Sequence, residues 1–147
     1  MNEVEISTLD IEPPPWIPAC KGFIEKTLAA LHLDSWELSL VFCDDASMKS
    51  LNSTYRHKEE TTDVLSFPQE NGPAPGEWYY AGDIVISLPQ LEKQAREWGV
   101  TVNEELKRLI IHGILHLKGM DHETNSADEE MLLLQERLLS QVEENIL

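Results

Sequence analysis

Cysteine is scarce in this chain: Cys20 and Cys43 are the only two in 147 residues, and they form no CxxC pair. That argues against a disulfide-stapled scaffold and predicts two reduced, buried thiols. Basic residues are few as well, 11 Lys and Arg against 27 Asp and Glu, for a formal charge of −16. Such a surface repels polyanions at long range. It does not coat nucleic acid non-specifically, because that binding is made of many Lys/Arg–phosphate contacts. No stretch approaches the ~20 consecutive apolar residues that span a bilayer. The start, Met-Asn-Glu-Val-Glu-Ile, lacks the charged-then-apolar layout of a signal peptide. Internal repeats and low-complexity tracts are missing too. The expectation is a cytoplasmic protein with no membrane partner.

What the chain does contain is an ordinary globular composition, 41% hydrophobic and 26% charged. Its length suits one domain, so residues 1–147 are read as a single unit. Alternation over Glu3–Thr8 predicts a strand, Pro13-Pro14-Pro15 breaks the chain, and apolar periodicity predicts a helix from about Trp16 to His32. Trp36–Cys43 reads as a second strand, with Leu38, Leu40 and Phe42 on one side. Asp44 or Asp45 suits the cap of a helix running to about Tyr55.

Val64–Phe67 and Ile84–Ser87 read as short buried strands, and Gln69–Tyr80, with Gly72, Pro73, Pro75 and Gly76, as a surface loop. Ser87 and Gln90 form an S-x-x-Q capping box for a helix to about Trp98, and Asn103 suits the cap of the next. Ser126 and Glu129 form a further box before a last helix with Met131, Leu134, Leu138 and Val142 on one face. Strands and helices mix without strict alternation. The predicted fold class is α+β, a small mixed β-sheet of about four strands packed with helices.

The chemistry concentrates in His-Gly-Ile-Leu-His-Leu-Lys-Gly-Met-Asp-His, His112 to His122, which holds three of the five histidines. His112 and His116, four apart on a predicted helix, project from one face about a turn apart. Leu106, Leu109, Gly113 and Leu117 form the expected core stripe, with both histidines at its edge. Gly119 falls where a helix end favours a left-handed residue, and the reversal carries His122 back towards the other two rings. An i, i+4 histidine pair also arises on solvated faces; three imidazoles around one point make a zinc site with a position left for water. A purely structural zinc is disfavoured, since closed sites have four protein ligands, commonly including cysteine. The H-x-x-x-H-x-x-G-x-x-H spacing is that of the metzincin proteases, where Glu follows the first histidine as general base. Here Gly113 stands in that place and takes no proton.

The segment resembles the HGxLHLxGxDH signature of the YbeY family, bacterial rRNA maturation factors regarded as zinc-dependent single-strand endoribonucleases. Leu51–Pro68, Leu-Asn-Ser-Thr-Tyr-Arg-His-Lys-Glu-Glu-Thr-Thr-Asp-Val-Leu-Ser-Phe-Pro, is similar to a second family signature, and Gly82–Ser87 to a third. The resemblance implies one zinc ion per chain on His112, His116 and His122, and a functional role for Arg56 in the cleft. A guanidinium binds phosphate bidentately and stays charged, and with His57 and Lys58 it forms the clearest basic spot near a motif. It further implies ribosomal RNA and the small ribosomal subunit as partners, with small-subunit 3′-end maturation and ribosome quality control as the task. The acidic surface suits docking on basic ribosomal proteins.

Weaker candidates surround this set. Asp63 and Asp83 suit turn capping or the orienting of an imidazole, Asp121 adjoins His122, Arg108 reads as a surface cation, and Trp78, Tyr79 and Tyr80 pack or stack on bases. Two rival readings stand beside the nuclease: a metallopeptidase with a base other than the missing Glu, and a non-enzymatic ribosome-assembly factor whose zinc stiffens the fold.

Overall fold

Side chains two apart on a strand share a face, and Leu38, Leu40 and Phe42 share the buried one, each at most 1% exposed. They belong to β2 (Trp36–Cys43), whose bounds coincide with those read from the sequence. The structure, a computed structural model, describes residues 1–56, 64–68, 78–119, 130–142 and 145–147. Its elements follow in the order β1 (Glu3–Leu9), α1 (Ile17–Ala30), β2, α2 (Asp45–Arg56), β3 (Val64–Pro68), β4 (Tyr79–Ser87), α3 (Leu88–Trp98), α4 (Val102–Leu117) and α5 (Glu130–Gln141). The class is α+β, as expected. The described strands form one mixed sheet in the order β1-β2-β4-β3, parallel except for the β3–β4 pair. A parallel pair needs a crossover of a dozen or more residues, and α1 supplies it between β1 and β2.

The sheet divides two apolar clusters. On one face Leu38, Leu40 and Phe42 join Ile84 and Ile86 of β4 and the buried sides of α1, α4 and α5. On the other, Met48 and Leu51 of α2 cover Val41, Cys43 and Val85. Alternation along β4 makes the division, since Ile84 and Val85 are neighbours in sequence and face opposite ways.

Several boundaries differ from those read in the sequence. β4 begins at Tyr79, so Tyr79 and Tyr80 are strand residues paired with Trp36 and Glu37, not loop. The sequence hides this start because Ala81 and Gly82 dilute the alternation, and Gly82 is at φ 139°. The rest of the predicted loop, 69–77, and the Ser126–Glu129 capping box lie outside the described residues. α4 is capped by Thr101, whose Oγ1 accepts the Glu104 amide at 3.0 Å, and not by Asn103. The Asn103 side chain is engaged elsewhere: its Oδ1 accepts the amides of Ile146 at 2.8 Å and Leu147 at 3.1 Å. At α3, Ser87 accepts the Gln90 amide as expected, but the Gln90 side chain turns to Asp45.

Candidate metal centre

Ten of the sixteen residues of α4 are buried, so this helix is core on most of its circumference and not along the single stripe expected. The sheet, α1, α3 and α5 all pack around it. Gly113 makes the closest approach possible: a Cβ there would stand 3.0 Å from two Ile84 side-chain carbons. Arg108, His112 and His116 remain half-buried, at every fourth position, and thus form one line along the helix. Gly119, at φ 99°, follows the last turn and donates its amide to the His116 carbonyl at 3.0 Å, the left-handed residue expected at this helix end.

The two imidazoles turn towards each other. Their Nε2 atoms are 3.0 Å apart, with the ring planes at 71°. Nitrogens about 2.0–2.1 Å from a shared tetrahedral zinc stand roughly 3.3 Å from one another. A small outward rotation of either ring therefore suffices, and this donor pair fits a metal. The far side of His112 is held: its Nδ1 lies 2.6 Å from Oε1 of Gln135, a residue of α5 only 6% exposed. His122 and Asp121 lie outside the described residues. Among those described, no group of three or more His, Cys, Asp and Glu is assembled to hold a metal.

Arg108 is not a simple surface cation. It donates from Nε and Nη2 to both carboxylate oxygens of Glu136, at 3.0 and 3.1 Å, and from Nη1 to Glu105 at 3.1 Å. The bond to Glu136 raises its pKa above the ordinary guanidinium range, and the same bond holds the Glu136 carboxyl below the usual glutamate value. Glu105, itself 3% exposed, also accepts from Gln94 of α3 at 2.8 Å. Three helices thus meet in one polar network beside the histidines.

The other candidates separate. Asp83 sits within β4 and does not precede it; it accepts hydrogen bonds from the hydroxyls of Ser39 and Tyr80, and orients neither described histidine. Burial, followed by that carboxylate, pushes the Tyr80 phenol up. Tyr79 packs edge-on against Trp36, with ring centroids 5.6 Å apart, while Trp78 is 51% exposed. Arg56 is the last residue of α2, and its side chain lies outside the described part, as does Asp63. Sequence reasoning missed Gln135. The available signal was a glutamine in phase with Met131, Leu138 and Val142 on the apolar side of α5.

Among the described residues, a mostly parallel, helix-covered α+β sheet with a histidine pair on its most buried helix defines a small single-sheet protein. The model of the family Endoribonuclease YbeY matches residues 3–143, and this chain belongs to that family. An Endoribonuclease YbeY from Treponema denticola is 51% identical over 145 residues, covering 95% of this chain and 93% of the relative. One from Treponema pallidum is 43% identical over 144 residues, covering 96% and 90%. The solution structure of TM1509 from Thermotoga maritima has the same fold, with a TM-score of 0.68 at 26% identity, covering 95% of this chain and 88% of that one.

Proposed function

We propose that this chain is a single-strand-specific, zinc-dependent endoribonuclease that matures the 3′ end of small-subunit ribosomal RNA and serves ribosome quality control. The RNA-cleaving hydrolase class rests on family membership. One observation supports the metal: the Nε2 atoms of His112 and His116 face each other at 3.0 Å while Gln135 holds the back of His112. With His122 added as the third ligand to the pair on a metzincin-like helix, three imidazoles leave a coordination position open, as catalytic zinc sites do. Bound zinc, one ion per chain, supplies Lewis acidity and lowers the pKa of water.

The chain's own residues do the rest. His112 and His116 hold their positions because α4 is locked by core packing on most sides. Arg56 offsets the negative charge that builds on the phosphoryl oxygens during hydrolysis. The −16 charge disfavours loose RNA binding, so docking on the small ribosomal subunit, through its basic proteins, delivers the substrate. No helix among the described residues is long and apolar enough to cross a membrane, and the proposed setting is the cytoplasm. Against the peptidase reading, position 113 lacks a carboxylate and faces Ile84 of the sheet.

Protein stripped of metal and then reloaded with zinc is the test, assayed on single-stranded RNA and on casein. About one zinc per chain, RNA cleavage only when loaded and intact casein are expected. His116→Ala should nearly abolish the zinc content, and full retention in that variant sinks the site. Casein cleavage without RNA cleavage restores the peptidase reading. Zinc retention with neither activity leaves a structural metal in an assembly factor.

A further inference from the structure

We infer that Gln135 is the positioning residue of this site: it fixes the tautomer of His112 so that Nε2 carries the lone pair a metal needs. The inference rests on the metal reading above and follows from hydrogen-bond bookkeeping along α4 and α5. A neutral imidazole carries one N–H, and the nitrogen that bears it cannot coordinate. The His112 Nδ1 faces Gln135 Oε1 at 2.6 Å, so the proton's place depends on which end of that amide is turned inward.

Glu136 decides the orientation. Its Oε2 lies 3.2 Å from Gln135 Nε2, and Arg108 grips the same carboxylate at both oxygens. A carboxylate held ionised by a guanidinium only accepts, so the Gln135 amide must present its NH2 there and its carbonyl to His112. A carbonyl also only accepts, so His112 Nδ1 must carry the proton. The sequence of contacts runs Arg108, Glu136, Gln135, His112: out from α4 to α5 and back one turn further along. Gln135 is almost fully buried, so water cannot readily substitute for its carbonyl. An amide flip would set oxygen against carboxylate and leave the arrangement unsatisfied.

The decisive experiment uses two readouts on the purified full chain. Long-range proton–nitrogen correlation spectra of 15N-histidine-labelled, metal-free protein, at a pH where the rings are neutral, report the His112 tautomer. Zinc alone, titrated against a chelator, reports affinity. The parent should show His112 protonated at Nδ1. Gln135→Leu should mix the tautomers and weaken zinc about 10–100-fold, the range for losing a partner that orients a metal-bound histidine. Gln135→Glu, whose carboxylate accepts the same proton, should keep the Nδ1–H tautomer, with an affinity between those of the parent and Gln135→Leu because its second oxygen faces the Glu136 carboxylate. A parent His112 protonated at Nε2 overturns the inference even if Gln135→Leu fails to fold. So does a folded Gln135→Leu that binds zinc as tightly as the parent. If the parent and His116→Ala bind zinc equally poorly, the metal reading has failed, and the parent's tautomer still decides the role of Gln135.

Discussion

Gly113 follows His112 directly yet belongs to the core. Its missing side chain is filled by Ile84, whose Cγ2 and Cδ1 would each meet an added Cβ at 3.0 Å. Two terms oppose each other in Gly113→Ala. Alanine gains up to about 1 kcal/mol of helix propensity, whereas overpacking a filled core costs about 1–3 kcal/mol. Ile84 is fully buried and has little room to yield, so net destabilisation of about 1 kcal/mol is expected in urea unfolding. Adding Ile84→Val, which removes Cδ1, should recover part of it; additive losses would refute the contact. The same packing explains why Gly113→Glu should unfold the protein before it makes a peptidase. Arg56 lies at the opposite extreme, a charge argued from chemistry. Arg56→Ala should retain zinc and melting temperature while RNA cleavage falls about 10²–10³-fold, with Arg56→Lys between because it lacks the planar fork. Parental cleavage at both low and moderate salt would remove Arg56 from the site.

Helix ends show what local sequence can and cannot decide. Thr101 and Asn103 are both good caps, two residues apart. Thr101 wins because Asn103 is taken by the chain terminus, where it accepts the amides of Ile146 and Leu147. Their substitutions should therefore differ in kind. Thr101→Ala should lower global stability by about 1 kcal/mol, the usual loss of a cap. Asn103→Ala should instead free the amides of Ile146 and Leu147 to exchange with deuterium while α4 stays protected. If Asn103→Ala deprotects the first turn of α4 and Thr101→Ala does not, the assignment of the cap is reversed. Strand β2 was legible residue by residue, because a half-buried strand keeps strict alternation. The start of β4 was not, because Ala81 and Gly82 carry no alternation: Gly82 is strand by its pairing with Leu38 and Pro68, and Ala81 stands where the register with β2 shifts.

For the whole molecule, the sheet acts as a partition. Cys20 packs in the cluster under α1, and Cys43 in the one under α2, on opposite faces. Both thiols are free and buried, and burial pushes them up, to about 12 for Cys20 and about 11 for Cys43. Neither should react with a thiol reagent at neutral pH in the native state, and both should react in denaturant; a fast native thiol would place one of them at the surface. The sequence by itself determined the α+β class, most strands and helices, the His112–His116 pair and the left-handed glycine, Gly119, that ends α4. Each depends on periodicity or on one residue's backbone preference, which are local properties. Tertiary structure alone decided that α4 is core nearly all round, that Arg108 is bound by Glu136, and that Gln135 stands behind His112. Those contacts join residues on separate helices up to 28 positions apart, and no local pattern encodes which helix faces will meet.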